Sequence, residues 1–228
     1  MNNMDKVLRW FARTPVALMM AALYGLFTAF VLIPKSAEVK AYTRDAGSID
    51  LSFGFNSPET VYAMAEAYGE AGRQAYIFDR VSFDVIWPLV YTVFYLSWIV
   101  WTLRIAHGDS PRVLRWGKLA IWPILLDFGE NSIAVLVMSL YPTRLDAAVY
   151  VLSTLTMLKW ASIGVTSLLL GYGILAAPVQ AIRRALAPTA TRPVAPETMT
   201  TKAAPESLLP EPPPPGQPGQ RPPTRPQA

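Results

Sequence analysis

The chain has 228 residues, of which 52% are hydrophobic and 16% are charged, and its formal net charge is +4. A soluble domain carries about 25% charged residues, so this composition indicates a membrane protein. The sequence has no cysteine and a single histidine, which excludes disulfides, thiol catalysis, thiolate or multi-histidine metal sites and Ser/His catalysis within one chain. We predict no cofactor and no metal.

Four segments are long and apolar enough to cross a bilayer, which requires about 20 apolar residues in a helix. They are residues 15–34, 82–105, 117–141 and 148–176. Because lipid offers no hydrogen bonds to the backbone, each segment is predicted to be helical. The predicted fold class is therefore all-α: a polytopic membrane protein with four transmembrane helices in an antiparallel bundle.

Lysine and arginine near the ends of these segments predict the orientation. The basic N-terminus (1–14), the loop 106–116 and the tail 177–228 are expected in the cytoplasm, and the loops 35–81 and 142–147 outside. The first span is longer than the apolar core of a cleavable signal, which favours an uncleaved signal anchor. The basic residues flank apolar spans without forming a stripe, so we expect a lipid bilayer as partner and no nucleic acid.

The loop before the second span contains a candidate helix, SPETVYAMAEAYG. Ser57 suits an N-cap and Pro58 the first helical position, and Val61, Met64 and Tyr68 recur at helical spacing. We predict a short amphipathic helix on the outer membrane surface or over the mouth of the bundle. A solvated connector with one helical turn is the alternative.

The second span places Asp84, Pro88, Tyr91 and Tyr95 on one helical face. Pro88 lacks the N–H that would bond to the Asp84 carbonyl, which favours a kink. Asp84 is expected near the outer interface, within reach of Arg80 or water. We predict that this face points toward the third helix and forms a polar funnel, with Asp84 as its entry group.

The third span carries three polar residues in LLDFGENSIAVLV. Asp127, Glu130 and Asn131 are spaced i, i+3, i+4 and therefore share one face. Two close acids in a low-dielectric site require a partner. Lys159 in the fourth span falls at matching depth, and we expect it to be buried and paired with Asp127, Glu130 or both. An unpaired charge there costs about 2.5–3.5 kcal/mol on insertion scales.

Small side chains form a stripe on the first helix and another on the fourth: Ala17, Ala21, Gly25 and Ala29, and Ala161, Gly164, Ser167 and Gly171. Such stripes let helix backbones approach closely. Packing within the chain is the first interpretation, and a homodimer is the alternative.

After Pro188 the sequence is rich in proline and poor in apolar side chains, including EPPPPGQPGQRPPTRPQ. We predict that the tail is disordered or extended from about residue 188. It is either a plain linker-like tail or a ligand for a proline-reading protein partner.

GEAGRQAY followed by FDVIWPLVY, then LLDFGENSIAVLV and TMLKW, resembles a family of small four-span bacterial membrane proteins without an established function. The resemblance covers roughly residues 15–180. It implies a four-span protein of a bacterial inner membrane, and it implies no activity.

The leading functional hypothesis is a polar site at mid-depth that binds or conducts a proton, a cation or a small solute. Asp127 and Glu130 would bind the ion, Lys159 would be their counter-ion, and Asn131 and Tyr91 would orient them. Four spans are few for a transporter, so transport would require a homodimer.

Two alternatives stay open, and with them whether the protein is an enzyme. A membrane-embedded enzyme acting on a lipid would use Asp127 or Glu130 as general acid or base, and a lateral opening beside Glu130 would favour it. A non-catalytic scaffold or assembly factor would use the tail and the outer loop as contact surfaces, and a closed polar core would favour it.

Overall fold

The computed structural model describes residues 3–44, 46–51 and 54–187, and the secondary structure of that part of the chain is helical. The predicted disorder of the tail lies outside the described residues. The helices are α1 (Asn3–Phe11), α2 (Thr14–Phe27), α3 (Ile33–Thr43), α4 (Pro58–Val81), α5 (Phe83–His107), α6 (Pro111–Gly117), α7 (Trp122–Ser139) and α8 (Asp146–Leu186). A π-helical segment, Thr28–Leu32, joins α2 to α3, and short 3-10 helices cover Ile49–Leu51 and Lys118–Ile121.

Four helical stretches of the described chain are long and apolar enough to cross a membrane: Thr14–Thr43, Pro58–His107, Pro111–Ser139 and Asp146–Leu186. The first runs past Pro34, where the sequence predicted its end. Pro34 lies in the first turn of α3, directly after the π-helical segment, and the altered hydrogen-bond pattern of that segment accommodates a residue without an N–H.

The helix predicted in the loop before the second span is present and is longer than expected. Ser57 caps α4, since its hydroxyl accepts a hydrogen bond from the Thr60 N–H, and Pro58 occupies the first turn. The helix then continues to Val81 with one interruption at Gly69, whose φ of +68° lies in the left-handed region. α4 is therefore a substantial helix that ends directly beside α5.

Two clusters of buried apolar side chains hold the helices together. The first joins α4 to α7 and α8 and includes Val61, Tyr68, Val137, Met138 and Leu152. The second joins α1, α5, α6 and α8 and includes Leu8, Ile99, Leu103, Val113 and Leu170. Polar residues of α5, α7 and α8 lie along the helices between these two clusters.

Large apolar side chains remain exposed on the long helices, among them Leu26, Phe30, Leu89, Leu168 and Leu175. Some positions of the predicted small-residue stripes are packed against other helices and some are not. Ala17 is buried and its carbonyl accepts a hydrogen bond from the Trp98 indole. Cβ atoms placed at Gly25, Gly164 and Gly171 would have no neighbour within 4 Å, so these positions are not packed within the described chain.

A close approach of α3 to α4 yields a first prediction. A Cβ at Gly72 would lie 2.5 Å from the Tyr42 carbonyl oxygen, so Gly72→Ala should force the two backbones apart and lower the free energy of unfolding by about 1–3 kcal/mol. Gly25→Ala, at an open helical position, should be neutral or stabilising by up to about 1 kcal/mol. Thermal unfolding of both variants in detergent checks this, and equal effects would show that the α3–α4 contact is loose.

Candidate functional site

One lysine and two acids form a buried cluster between α7 and α8, here called the lysine triad (Asp127, Glu130 and Lys159). The Lys159 ammonium lies 2.6 Å from Glu130 Oε2 and 3.4 Å from Asp127 Oδ1. All three residues are buried: Lys159 is 5% exposed, Glu130 1% and Asp127 7%. The pairing expected from their matching depth is therefore present, and both acids share one ammonium.

Two hydroxyl groups complete the lysine triad. The Tyr91 hydroxyl of α5 donates to Asp127 Oδ2 over 3.0 Å. The Thr156 hydroxyl of α8 lies 3.0 Å from Glu130 Oε1 and also 3.0 Å from the Leu152 carbonyl oxygen. Each oxygen of the two carboxyl groups thus has a side chain of the protein as its neighbour.

A second cluster surrounds the buried Arg80 at the end of α4, here called the arginine triad (Asp50, Arg80 and Asp84), and its two acids are half-buried. Arg80 Nη2 lies 2.7 Å from Asp50 Oδ1, and Nη1 lies 2.9 Å from Asp84 Oδ2. The Ser48 hydroxyl also donates to Asp50, and the guanidinium covers the Tyr76 ring at 4.4 Å. One cation is again shared by two acids.

Asp50 lies outside the long apolar helices, and its environment changes its acidity. Burial acts to raise the pKa of the carboxyl, whereas the charges of Arg80 and Lys159 and its hydrogen bonds act to lower it. The charges and hydrogen bonds prevail, so the pKa of Asp50 lies below its ordinary value.

Asn131, the residue after Glu130 in α7, binds the arginine triad. Its Oδ1 accepts from Arg80 Nη1 over 3.3 Å, and its Nδ2 donates to the Asp84 carbonyl oxygen over 3.2 Å. That carbonyl is available because Pro88, four residues later in α5, has no N–H to donate. The proline expected to free the Asp84 carbonyl therefore creates the acceptor that orients the amide of Asn131.

A cavity of about 320 Å³ adjoins the arginine triad, and we call it the junction cavity because it lies beside the junction of α4 and α5. Its other walls come from α3 and the segment 47–51. Asp50, Arg80 and Asp84 all line it, whereas no residue of the lysine triad does.

All six residues singled out from the sequence contribute to these clusters. Asp127, Glu130, Lys159 and Tyr91 lie in or beside the lysine triad, and Asp84 and Asn131 in or beside the arginine triad. Whether they bind an ion stays a prediction. Sequence reasoning missed two side chains. Thr156 precedes Lys159 by three positions and so shares its face, whereas Asp50 lies in a loop without a periodic signal.

Comparison with protein-family models, with curated proteins and with solved structures finds no match. Within the described residues, no group of three or more histidine, cysteine, aspartate or glutamate side chains is arranged to hold a metal ion.

The lowered pKa of Asp50 gives a pH-dependent prediction. A carboxyl whose pKa is lower in the folded state stabilises the fold above its unfolded pKa, about 3.9, and loses that contribution as the pH falls toward the folded value. Asp50→Asn should therefore lower the melting temperature at pH 7. Below about pH 4, the melting temperatures of the variant and the wild type should approach each other.

Glu59→Gln provides the control for this measurement, because Glu59 is an exposed acid that also pairs with an arginine, Arg144, at 3.3 Å. It should change the melting temperature little at either pH. The difference in melting temperature between the wild type and Asp50→Asn should not stay constant from neutral pH down to about pH 3. A constant difference would contradict the assignment of the lowered pKa to the Arg80 pair.

Proposed function

We propose that this chain is a multi-pass protein of a bacterial inner membrane, with four transmembrane helices in an antiparallel bundle and both termini in the cytoplasm, and that it binds and exchanges a proton at Glu130. The four long apolar helices and their exposed apolar side chains support membrane insertion. The basic residues near the span ends support the orientation.

The position of the Thr156 hydroxyl allows Glu130 to gain or lose a proton without any movement of its neighbours' heavy atoms. A hydroxyl has one proton to donate, yet Thr156 Oγ1 lies 3.0 Å from both Glu130 Oε1 and the Leu152 carbonyl oxygen. If Glu130 carries a proton, it donates to Thr156, which donates to Leu152, and every group is satisfied. If Glu130 is ionised, the hydroxyl rotates to donate to the carboxylate instead.

The observation that carries the proton assignment is the charge count of the lysine triad. Asp127 and Glu130 together carry two negative charges when ionised, and Lys159 supplies one positive charge. An uncompensated charge is costly to bury, by several kcal/mol. A proton on Glu130 leaves a neutral cluster in which Asp127 accepts from Tyr91 and pairs with Lys159.

A proton suits this cluster better than a metal cation does. Hard cations such as Na⁺, Mg²⁺ or Ca²⁺ require several oxygen ligands, whereas the carboxyl oxygens of Asp127 and Glu130 already face Lys159, Tyr91 and Thr156. A proton needs no coordination shell and fits on Glu130 Oε1 without displacing these neighbours.

The junction cavity gives the proton a route of approach. Arg80 and Asp84 line the cavity, and Asn131 connects them to the helix that carries Glu130. We propose that protons enter from this side and reach the lysine triad past Asn131. The low exposure of Glu130, 1%, favours proton exchange over acid–base catalysis on a lipid, which would need the acid to touch its substrate.

A charge-removal cycle tests the pairing itself. Lys159→Met leaves Asp127 without its cation and should destabilise the protein by about 3–5 kcal/mol. The triple variant Lys159→Met, Asp127→Asn, Glu130→Gln removes every charge and should recover most of that loss in thermal unfolding. If the triple variant is as unstable as Lys159→Met, the three groups do not act as one charge cluster.

Infrared spectroscopy tests the proton. The detergent-purified wild type should show the C=O band of a protonated carboxyl group near neutral pH, and Glu130→Gln should abolish that band. Thr156→Val should shift the band, because it removes the acceptor of the carboxyl proton. Thr154→Val is the matched control, since Thr154 bonds only to the Tyr150 carbonyl on an exposed face of the same helix, and it should leave the band unchanged. A band that survives Glu130→Gln would overturn the assignment.

A further inference from the structure

The junction cavity contains a buried acid that the proton site does not use. The Lys35 ammonium lies 2.6 Å from Asp79 Oδ1, and Asp79 is 3% exposed. The other oxygen, Asp79 Oδ2, is buried without a hydrogen-bond partner. The Tyr42 hydroxyl lies beside Asp79 on the same wall of the cavity, and its buried oxygen likewise makes no well-formed hydrogen bond. Native proteins seldom leave such groups unpaired unless a ligand or water meets them.

The charges around the cavity leave room for one more cation. Lys35 is shared between Asp79 and the exposed Glu38, which lies 2.9 Å from it. Arg80 is shared between Asp50 and Asp84. The buried and half-buried charges of the wall are therefore three aspartates and two cations, and Lys40, the further lysine of the lining, is exposed.

The rest of the cavity wall is apolar and aromatic, with Leu32, Val39, Leu51, Phe83 and Trp87. Trp87 is held in place by stacking on Tyr24 and Phe27. Aromatic faces attract organic cations, and the aliphatic side chains suit a hydrocarbon. Ile33 and Phe30 are exposed on the neighbouring turns, so the cavity lies next to a surface that suits lipid.

We infer that the junction cavity binds the ammonium group of an amphipathic primary amine, which donates to Asp79 Oδ2 and the Tyr42 hydroxyl while its hydrocarbon part lies against Phe83 and Trp87. A primary ammonium is required because a quaternary one has no N–H to donate. The volume of about 320 Å³ suits a small amine of this kind. This site is distinct from Glu130 and does not rest on the proton assignment.

The ammonium group that binds could belong to a lipid headgroup, such as that of phosphatidylethanolamine, or to a free amine. The probe for the chemistry is hexylamine, titrated into the full-length detergent-purified protein while the melting temperature is followed. Hexylamine should raise the melting temperature with saturation. Hexyltrimethylammonium and hexanol should bind at least about tenfold more weakly, since a hydrogen bond to a charged group contributes about 1.5–3 kcal/mol.

Asp79→Asn should weaken hexylamine binding by about tenfold or more. Glu38→Gln is the matched control, because Glu38 pairs with the same lysine but does not line the cavity, and it should bind like the wild type. Ser36→Phe fills the cavity wall without changing a charge and should also weaken binding, so it decides the question if Asp79→Asn does not fold. Glu130→Gln keeps every residue that lines the cavity and should still bind hexylamine with saturation, which separates this test from that of the proton site.

Native mass spectrometry identifies whether the bound ammonium group belongs to a lipid. The protein is first reconstituted in vesicles of phosphatidylethanolamine or of phosphatidylcholine. Phosphatidylethanolamine retained by the wild type and lost in Asp79→Asn assigns the site to the lipid headgroup. Saturable hexylamine binding without a retained lipid assigns it to a free amine. The inference is overturned if neither binds, if hexanol equals hexylamine, or if Ser36→Phe and Asp79→Asn both bind like the wild type.

Discussion

Two cations each shared by two carboxylates impose the main constraint on this protein. Lys159 lies between Asp127 and Glu130, and Arg80 lies between Asp50 and Asp84. Removing either cation would leave two acids without their shared counter-ion. The loss of stability would be far larger than that caused by exchanging a neutral side chain. The surrounding hydroxyl and amide groups follow from this constraint, since each acid needs further donors to offset its share of charge.

The segment between α3 and α4 is held by hydrogen bonds that place Asp50 beside Arg80. The Tyr68 hydroxyl donates to the Gly47 carbonyl over 2.7 Å, and the Trp160 indole donates to the Asp50 carbonyl over 2.9 Å. These bonds fix the backbone on either side of Ser48, so Asp50 is held against Arg80 from both directions. The arginine triad thereby joins a loop residue, Asp50, to the α4–α5 junction that carries Arg80 and Asp84, whereas the lysine triad lies on two adjacent helices.

This difference explains how much of the site could be predicted from the sequence. Spacing along one helix placed Asp127, Glu130 and Asn131 on one face, and depth in the span matched them with Lys159. The carbonyl freed by Pro88 was also predictable, because it depends on the missing N–H alone. Asp50 could not be found this way, because its place depends on how the loop folds back over α4. The second half of α4 was missed for a related reason: GEAGRQAYIFDR is too polar to indicate a buried helix, and packing against α3 and α7 stabilises it.

Arg80 connects the two proposed ligands electrostatically. Its guanidinium lines the junction cavity and also donates to Asn131, the residue after Glu130. An ammonium group at Asp79 and a proton on Glu130 would each offset the same excess of buried carboxylate charge, because the four acids of the two triads exceed their cations by two. Adding one positive charge makes the second less favourable in a medium of low polarity. Coupling between the two proposed ligands would therefore be negative and, by linkage, reciprocal: amine binding would favour release of the proton, and protonation of Glu130 would weaken binding of the amine.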